Sequence, residues 1–167
     1  MDRWTDGPRD RTVLRSSGPS VIRFLVRGLD DGQREESRYP FSMQNPEKLR
    51  VTQSARGLAV ALYTATGRFP ASERFGLTAQ MRRAAVSISS NIAEGCGRSG
   101  ARELIHFLHI ALGSASELES QLILAVDLTF LSDSEAEPLL IQARDLKKML
   151  AGLIKFLRTR IARRTRA

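Results

Sequence analysis

From residue 45 onward, apolar positions recur at intervals of three and four, the period that lines one face of an α-helix. Val51, Ala55, Leu58 and Leu62 form the first stripe. Asn45-Pro46-Glu47 reads as its cap, first-turn proline and first-turn acid, and Gly67 with Pro70 ends it near Thr66. A connector over residues 67–77 carries Phe69 and Phe75, both expected to pack over the end of the fold. Thr78 is placed to cap a second helix. Its stripe, Met81, Ala84, Ala85, Ile88, Ile92 and Ala93, is mostly small and suits close helix approach, and Gly95 and Gly97 are expected to stop it. Ser99 or Gly100 opens a third helix with a strict heptad seam of Leu104, Leu108, Ala111, Ala115, Leu118, Leu122 and Ala125. A second row, Ile105, Leu112 and Ile123, lies about 100° around the same helix. Ser134-Glu135-Ala136-Glu137 reads as a capping box for a fourth helix. Its stripe is Leu139, Ala143, Leu146, Leu150, Leu153 and Leu157, running to about Ile161.

Four amphipathic helices with short connectors predict an all-α fold, an antiparallel up-and-down four-helix bundle over residues 45–161. No stretch combines β-branched alternation with turn signals, so a sheet core is not expected. Two apolar rows on the third helix require cover on two sides, from neighbouring helices or from another subunit. Residues 1–44 differ. They scatter Gly, Pro, Asp and Arg around one apolar run, Val21 to Val26, and read as a poorly ordered N-terminal extension. Their acids argue against a secretory or transit peptide. Met43 lies just before the first helix signal, which makes residues 1–42 a candidate upstream start that the bundle does not need. Residues 162–167 form a basic C-terminal tail.

The chain has 167 residues, 42% apolar and 26% charged, which excludes collagen-like and fully disordered classes. No run approaches the roughly 18 apolar residues of a membrane span. A single cysteine, Cys96, cannot form an internal disulfide and fits a cytoplasmic location. The net charge of +8 is concentrated at one end. Residues 1–45 hold 8 Arg against 7 Asp/Glu, and residues 46–154 hold 12 Lys/Arg against 11 Asp/Glu. Residues 155–167 hold Lys155, Arg158, Arg160, Arg163, Arg164 and Arg166 with no acid. Such a patch attracts polyanions; the plainer reading is a solvated helix end whose cations suit the negative end of the helix dipole.

The catalytic inventory is thin. There is no Gly-rich phosphate loop with a lysine and no Gly-x-Ser-x-Gly elbow, so no catalytic residue, cofactor or enzymatic activity is expected. Glu103-x-x-His106 is the one metal-like spacing, but His106 projects about 160–200° from the core seam by the helical period, so no metal site is expected. His106 and His109 read as outer-face or interface histidines. Cys96, near a helix C-terminus, reads as a small structural residue. Ser87, Ser89, Ser90, Asn91 and Glu94, with Glu117 and Glu119, make polar helix faces that read either as a lattice for binding a ligand or, more plainly, as interhelical or intersubunit hydrogen bonding between close-packed backbones. The six C-terminal cations are the main candidate phosphate contacts. Arg82, Arg83, Arg98 and Arg102 are secondary candidates, which otherwise pair with Glu94 and Glu103. Aromatic residues are only 6%, so binding to RNA or DNA should tolerate sequence and respond to salt.

A family likeness joins these features. Phe69-Pro70, the run Glu73 to Ile88, Ser90-Asn91-Ile92-Ala93-Glu94-Gly95, Ala111 to Glu119 and Lys148-Met149-Leu150 resemble the four-helix-bundle proteins encoded in 23S ribosomal-RNA intervening sequences. The likeness spans about residues 49–157 and leaves out residues 1–45. It implies a bacterial bundle that assembles as a homopentameric ring without catalytic residues. A related branch, the accessory variability determinant of diversity-generating retroelements, is a basic pentamer that binds a reverse transcriptase and nucleic acid. A ring uses two different surfaces per subunit, which fits Ile105, Leu112 and Ile123 as the oligomer interface. The expected function is a non-enzymatic homo-oligomeric scaffold contacting nucleic-acid phosphates, with no membrane partner. The alternatives are a module that docks a partner such as a reverse transcriptase, or a bundle metalloprotein.

Overall fold

A computed structural model describes residues 49–165. Residues 1–44, Asn45, Pro46, Glu47 and Arg166, to which expectations were attached, lie outside these residues. The described residues form four α-helices and no strand: α1 (Arg50–Thr66), α2 (Leu77–Gly97), α3 (Ala101–Asp127) and α4 (Asp133–Arg164). None of these helices is long and apolar enough to cross a membrane.

The helix ends follow from local chemistry, and several differ from expectation: α1 starts at Arg50 behind an extended Leu49 rather than at Pro46, and α4 runs to Arg164 rather than about Ile161. α2 starts one residue before Thr78, with Gly76 at the N-cap. The Leu77 N–H donates to Glu73 Oε2 at 3.0 Å, so an acid from the preceding 3-10 turn (Ala71–Arg74) serves the exposed helix dipole. Gly76 leaves room for that carboxylate, which a Cβ would strike. Thr78 is instead buried in the first turn. α4 is capped by Ser132, two residues before the expected Ser134. The Ser132 N–H donates to Glu135 Oε2 at 3.0 Å, and its hydroxyl donates to the same oxygen at 2.8 Å. Leu131 and Ala136, on either side of the first turn, are both buried, a hydrophobic staple that sets this start. Gly67 and Gly100 bound α1 and α3 as the sequence suggests.

The seams come out largely as the periodicity requires. Every residue of the α3 heptad is buried, as are Val51, Ala55, Leu58 and Leu62 of α1. Ala93 is exposed, so the α2 seam ends on Ile92, Gly95 and Cys96. On α4 the buried position is Ile154, with Leu153 half-buried, because a strict heptad drifts around a straight helix of 3.6 residues per turn. In the α1–α2 connector, Phe69 packs on Phe130 with ring centroids 5.5 Å apart, whereas Phe75 is 87% exposed.

Each helix packs on its predecessor, and α4 also packs on α1. The α2–α3 seam is the most extensive. Gly95 lies inside α2 rather than stopping it, and a Cβ there would come within 2.9 Å of Leu104 Cδ1 and Phe107 Cβ. Ser87 and Ser114 bridge the same two helices through their hydroxyls at 2.8 Å, and Asn91 Nδ2 donates to Ser87 Oγ at 3.1 Å. On the polar side of α2, Ser87 thus makes the interhelical bond, Asn91 supports it from within the helix, Glu94 pairs with Arg98, and the buried Ser89 hydroxyl has no partner among the described residues. α3 and α4 meet through Glu119 with Arg144 and Lys147, and through His109 with Arg158.

Candidate nucleic-acid interface

The charge of α4 changes along its length. Near its middle, Arg144 Nε and Lys147 Nζ reach Glu119 of α3 at 2.7 and 2.8 Å. Hydrogen bonds from Lys147 and then Arg144 hold the Glu119 carboxyl below the usual carboxylate range. These two cations share one carboxylate across the seam, so the trio keeps a net charge of +1. Glu119 was legible only as part of a polar face, because no spacing within one helix pairs it with residues 144 and 147. Lys148 pairs with Asp145 at 2.9 Å within α4.

Beyond Asp145 the described part of α4 carries no acid. Lys155, Arg158, Arg160 and Arg163 project from its last three turns, all exposed. Arg158 is engaged with His109 of α3 at 2.9 Å, and Arg160 lies 6.0 Å over the Phe156 ring. Arg164 closes the helix backbone. The basic segment is thus a continuation of α4, anchored by the buried Ile154 and Leu157. A rigid helix presents charge without the ordering cost of a coil.

The secondary arginines divide. Arg82 lies 4.7 Å over the Tyr63 ring and donates from Nε to Thr66 Oγ1 at 2.9 Å, so it fastens α2 to α1. Arg98 pairs with Glu94 and covers the Phe107 ring at 5.4 Å, so it caps the α2–α3 seam. Arg83 and Arg102 are exposed and have no partner among the described residues. Of the four, these two remain available to an anion.

The three expected interface residues are not equivalent. Ile105 and Leu112 are half-buried against the core of their own chain. A position about 100° from the seam lies on the flank that α4 covers. Ile123 is 46% exposed. Three large apolar residues that the sequence reading did not select are also exposed on α3 and its C-cap: Ile110, Leu124 and Leu128. By the helical period they lie on the opposite flank, around Gly113, where a Cβ would meet nothing within the chain. α4 covers its flank only in part: Ile105 and Leu112 are half-buried there, while Ile123 in the same row is as exposed as the residues of the opposite flank.

Glu103 and His106 are exposed, and among the described residues no group of three or more His, Cys, Asp or Glu could hold a metal ion. Cys96 is buried in the α2 seam, and desolvation pushes its thiol up to about 11.

Residues 47–152 match the sequence profile of the family described as 23S rRNA-intervening sequence protein. No curated protein matches the chain. Among solved structures, a protein of unknown function from the S23 ribosomal protein family of Bacteroides thetaiotaomicron is similar, with a TM-score of 0.59 and 24% identity over 63% of this chain and 95% of that one. That likeness concerns the fold.

Proposed function

This chain belongs to the 23S rRNA-intervening sequence protein family, and from that premise we propose that it is a cytoplasmic, non-enzymatic, homo-oligomeric scaffold that binds RNA or DNA through phosphate contacts. The observation that carries the reading is the acid-free end of α4, where Lys155, Arg158, Arg160 and Arg163 stand exposed on an ordered helix. Arg144 and Lys147, on the same helix, are both paired with Glu119. Arg83 and Arg102 extend the positive surface. In this reading the subunit is an antiparallel up-and-down bundle. Support comes from the seam contacts, in which residue numbers rise on one helix as they fall on the next: Ser87 with Ser114 and Gly95 with Leu104, then Glu119 with Arg144 and His109 with Arg158. Self-association, as a pentamer by the family resemblance, uses the exposed apolar flanks of α3.

The test is fluorescence anisotropy with a labelled single-stranded RNA across a salt series. The expected result is a log–log slope that falls by about one for each of Lys155, Arg158 and Arg163 changed to Gln. Binding that ignores salt, or that survives the triple variant unchanged, refutes the phosphate mechanism. The exposed Ile110, Leu124 and Leu128 favour a second reading, a module that docks a protein such as a reverse transcriptase with nucleic-acid binding incidental. Under that reading, Leu124→Glu abolishes partner capture while RNA binding persists.

A further inference from the structure

Two exposed isoleucines share the outer side of the α3–α4 seam, near the turn that joins the helices. Glu119 of α3 meets Arg144 and Lys147 of α4. One turn onward along α3 lies Ile123, 46% exposed, and one turn back along α4 lies Ile141, 49% exposed. A further turn in the same directions brings Asp127 and Glu137, both exposed. Neither of these carboxylates forms an ion pair with a described residue. Arg144 feels the charge of Glu137 but is bonded to Glu119, and Lys148 pairs with Asp145. The patch is thus an apolar pair with two carboxylates on its turn side.

The other exposed apolar positions have cations beside them. Ile110 and Leu124 lie on the α2 flank of α3 with Glu103 and Glu117. Opposite them α2 sets Arg83, one turn before Ser87, and the Glu94–Arg98 pair. On α1, Val60 and Tyr63 share their helix with Arg50 and Arg56 and with no acid, and Arg82 lies over the Tyr63 ring.

The chain itself holds a segment complementary to the Ile123–Ile141 patch. Between Asp10 and Asp30 it carries Arg11, Arg15, Arg23 and Arg27 and no acid. Within that stretch, Val21-Ile22-Arg23-Phe24-Leu25-Val26 has five apolar residues in six. This segment lies outside the described residues. Residues 27–48, twenty-two in number, tether it to Leu49 and span up to about 75 Å when extended. The longest helix, the 32-residue α4, measures about 48 Å, so the tether reaches any point on the bundle.

We propose that residues 21–26 dock on the Ile123–Ile141 patch of their own chain, with Arg23 and Arg27 facing Asp127 and Glu137. The apolar side chains cover the two isoleucines. Charge selects the place: the arginine-bearing segment is drawn to the carboxylates beside the α3–α4 turn and repelled from the acid-free end of α4. Ile110, Leu124 and Leu128 stay free for self-association.

The experiment is hydrogen–deuterium exchange read by mass spectrometry on the full chain without nucleic acid. It compares wild type, Ile141→Lys and the double variant Arg23→Glu/Arg27→Glu. Ile141→Lys removes an apolar contact and adds a charge of the segment's own sign. The double variant changes nothing in the bundle, so it decides the matter if Ile141→Lys disturbs α4. Amides of residues 21–26 are expected to exchange about tenfold more slowly in wild type than in either variant, the equivalent of about 1.4 kcal/mol of docking. Exchange of that segment at the rate of a free peptide in wild type, or protection that survives both variants, overturns the proposal. Protection lost on dilution assigns the segment to a second copy and overturns docking within one chain.

Discussion

Replacing Gly95 with alanine tests how closely α2 and α3 approach. The new Cβ would stand 2.9 Å from both Leu104 Cδ1 and Phe107 Cβ, and 3.4 Å from the Leu104 Cα. The two shorter separations lie well inside the roughly 3.5–4.0 Å optimum for carbon atoms. Leu104 Cδ1 can swing aside, but Phe107 Cβ is fixed to the α3 backbone, so relief requires the helices to part. Overpacking of this kind costs about 1–3 kcal/mol. Against it stands helix propensity, which favours alanine over glycine by about 0.8–1.0 kcal/mol. The net expectation is a loss of about 0–2 kcal/mol. Gly57 of α1 isolates the propensity effect, because a Cβ there meets nothing within 4 Å. Gly57→Ala should stabilise by about 1 kcal/mol, and the difference between the two variants, about 1–3 kcal/mol, measures the clash. Urea unfolding followed by far-ultraviolet circular dichroism gives both values, provided the slope m is unchanged. Equal stabilisation by both substitutions would refute the close seam at Gly95.

Three further outcomes follow from named contacts. Thr129 has a φ of 59° and closes α3, with its N–H donating to Val126 O at 2.8 Å and the Phe130 N–H to Ala125 O at 2.9 Å; this left-handed position suits glycine, so Thr129→Gly should raise stability by about 1 kcal/mol in the same assay. The Glu119 carboxyl is held below its unfolded value by Lys147 and Arg144, so its contribution is present above the ordinary carboxylate range and lost as pH falls through the lowered folded value; wild type should exceed Glu119→Gln in stability at pH 7, and the gap should close in acid. Burial raises the Cys96 thiol to about 11, so Ellman's reagent at pH 8 should modify it at the rate of opening in native protein and within the mixing time in denaturant, and fast reaction of native protein would contradict its place in the α2 seam.

Function is less legible than fold for a reason visible in particular residues. Lys155, Arg158 and Arg163 could be selected from charge alone, because nothing acidic follows Asp145 in the described helix. Arg82 and Arg98 look similar in sequence, yet Arg82 is held by Tyr63 and Thr66 and Arg98 by Glu94 and Phe107. Availability of a cation depends on what lies across the seam. His109 likewise meets a cation, Arg158, that lies forty-nine positions away in the chain.

Periodicity by itself determined four helices, their seams and most of their stops, because a buried stripe at 3.6 residues per turn is a local property of the chain. The Ser132 cap in place of Ser134, the buried Ile154 beside a half-buried Leu153, and the α4-covered flank that takes Ile105 and Leu112 but leaves Ile110 and Leu124 outside were decided by packing. Each depends on where a second helix sits. That placement is set by side-chain volumes and contacts summed over the whole seam, and no window of a single helix contains it.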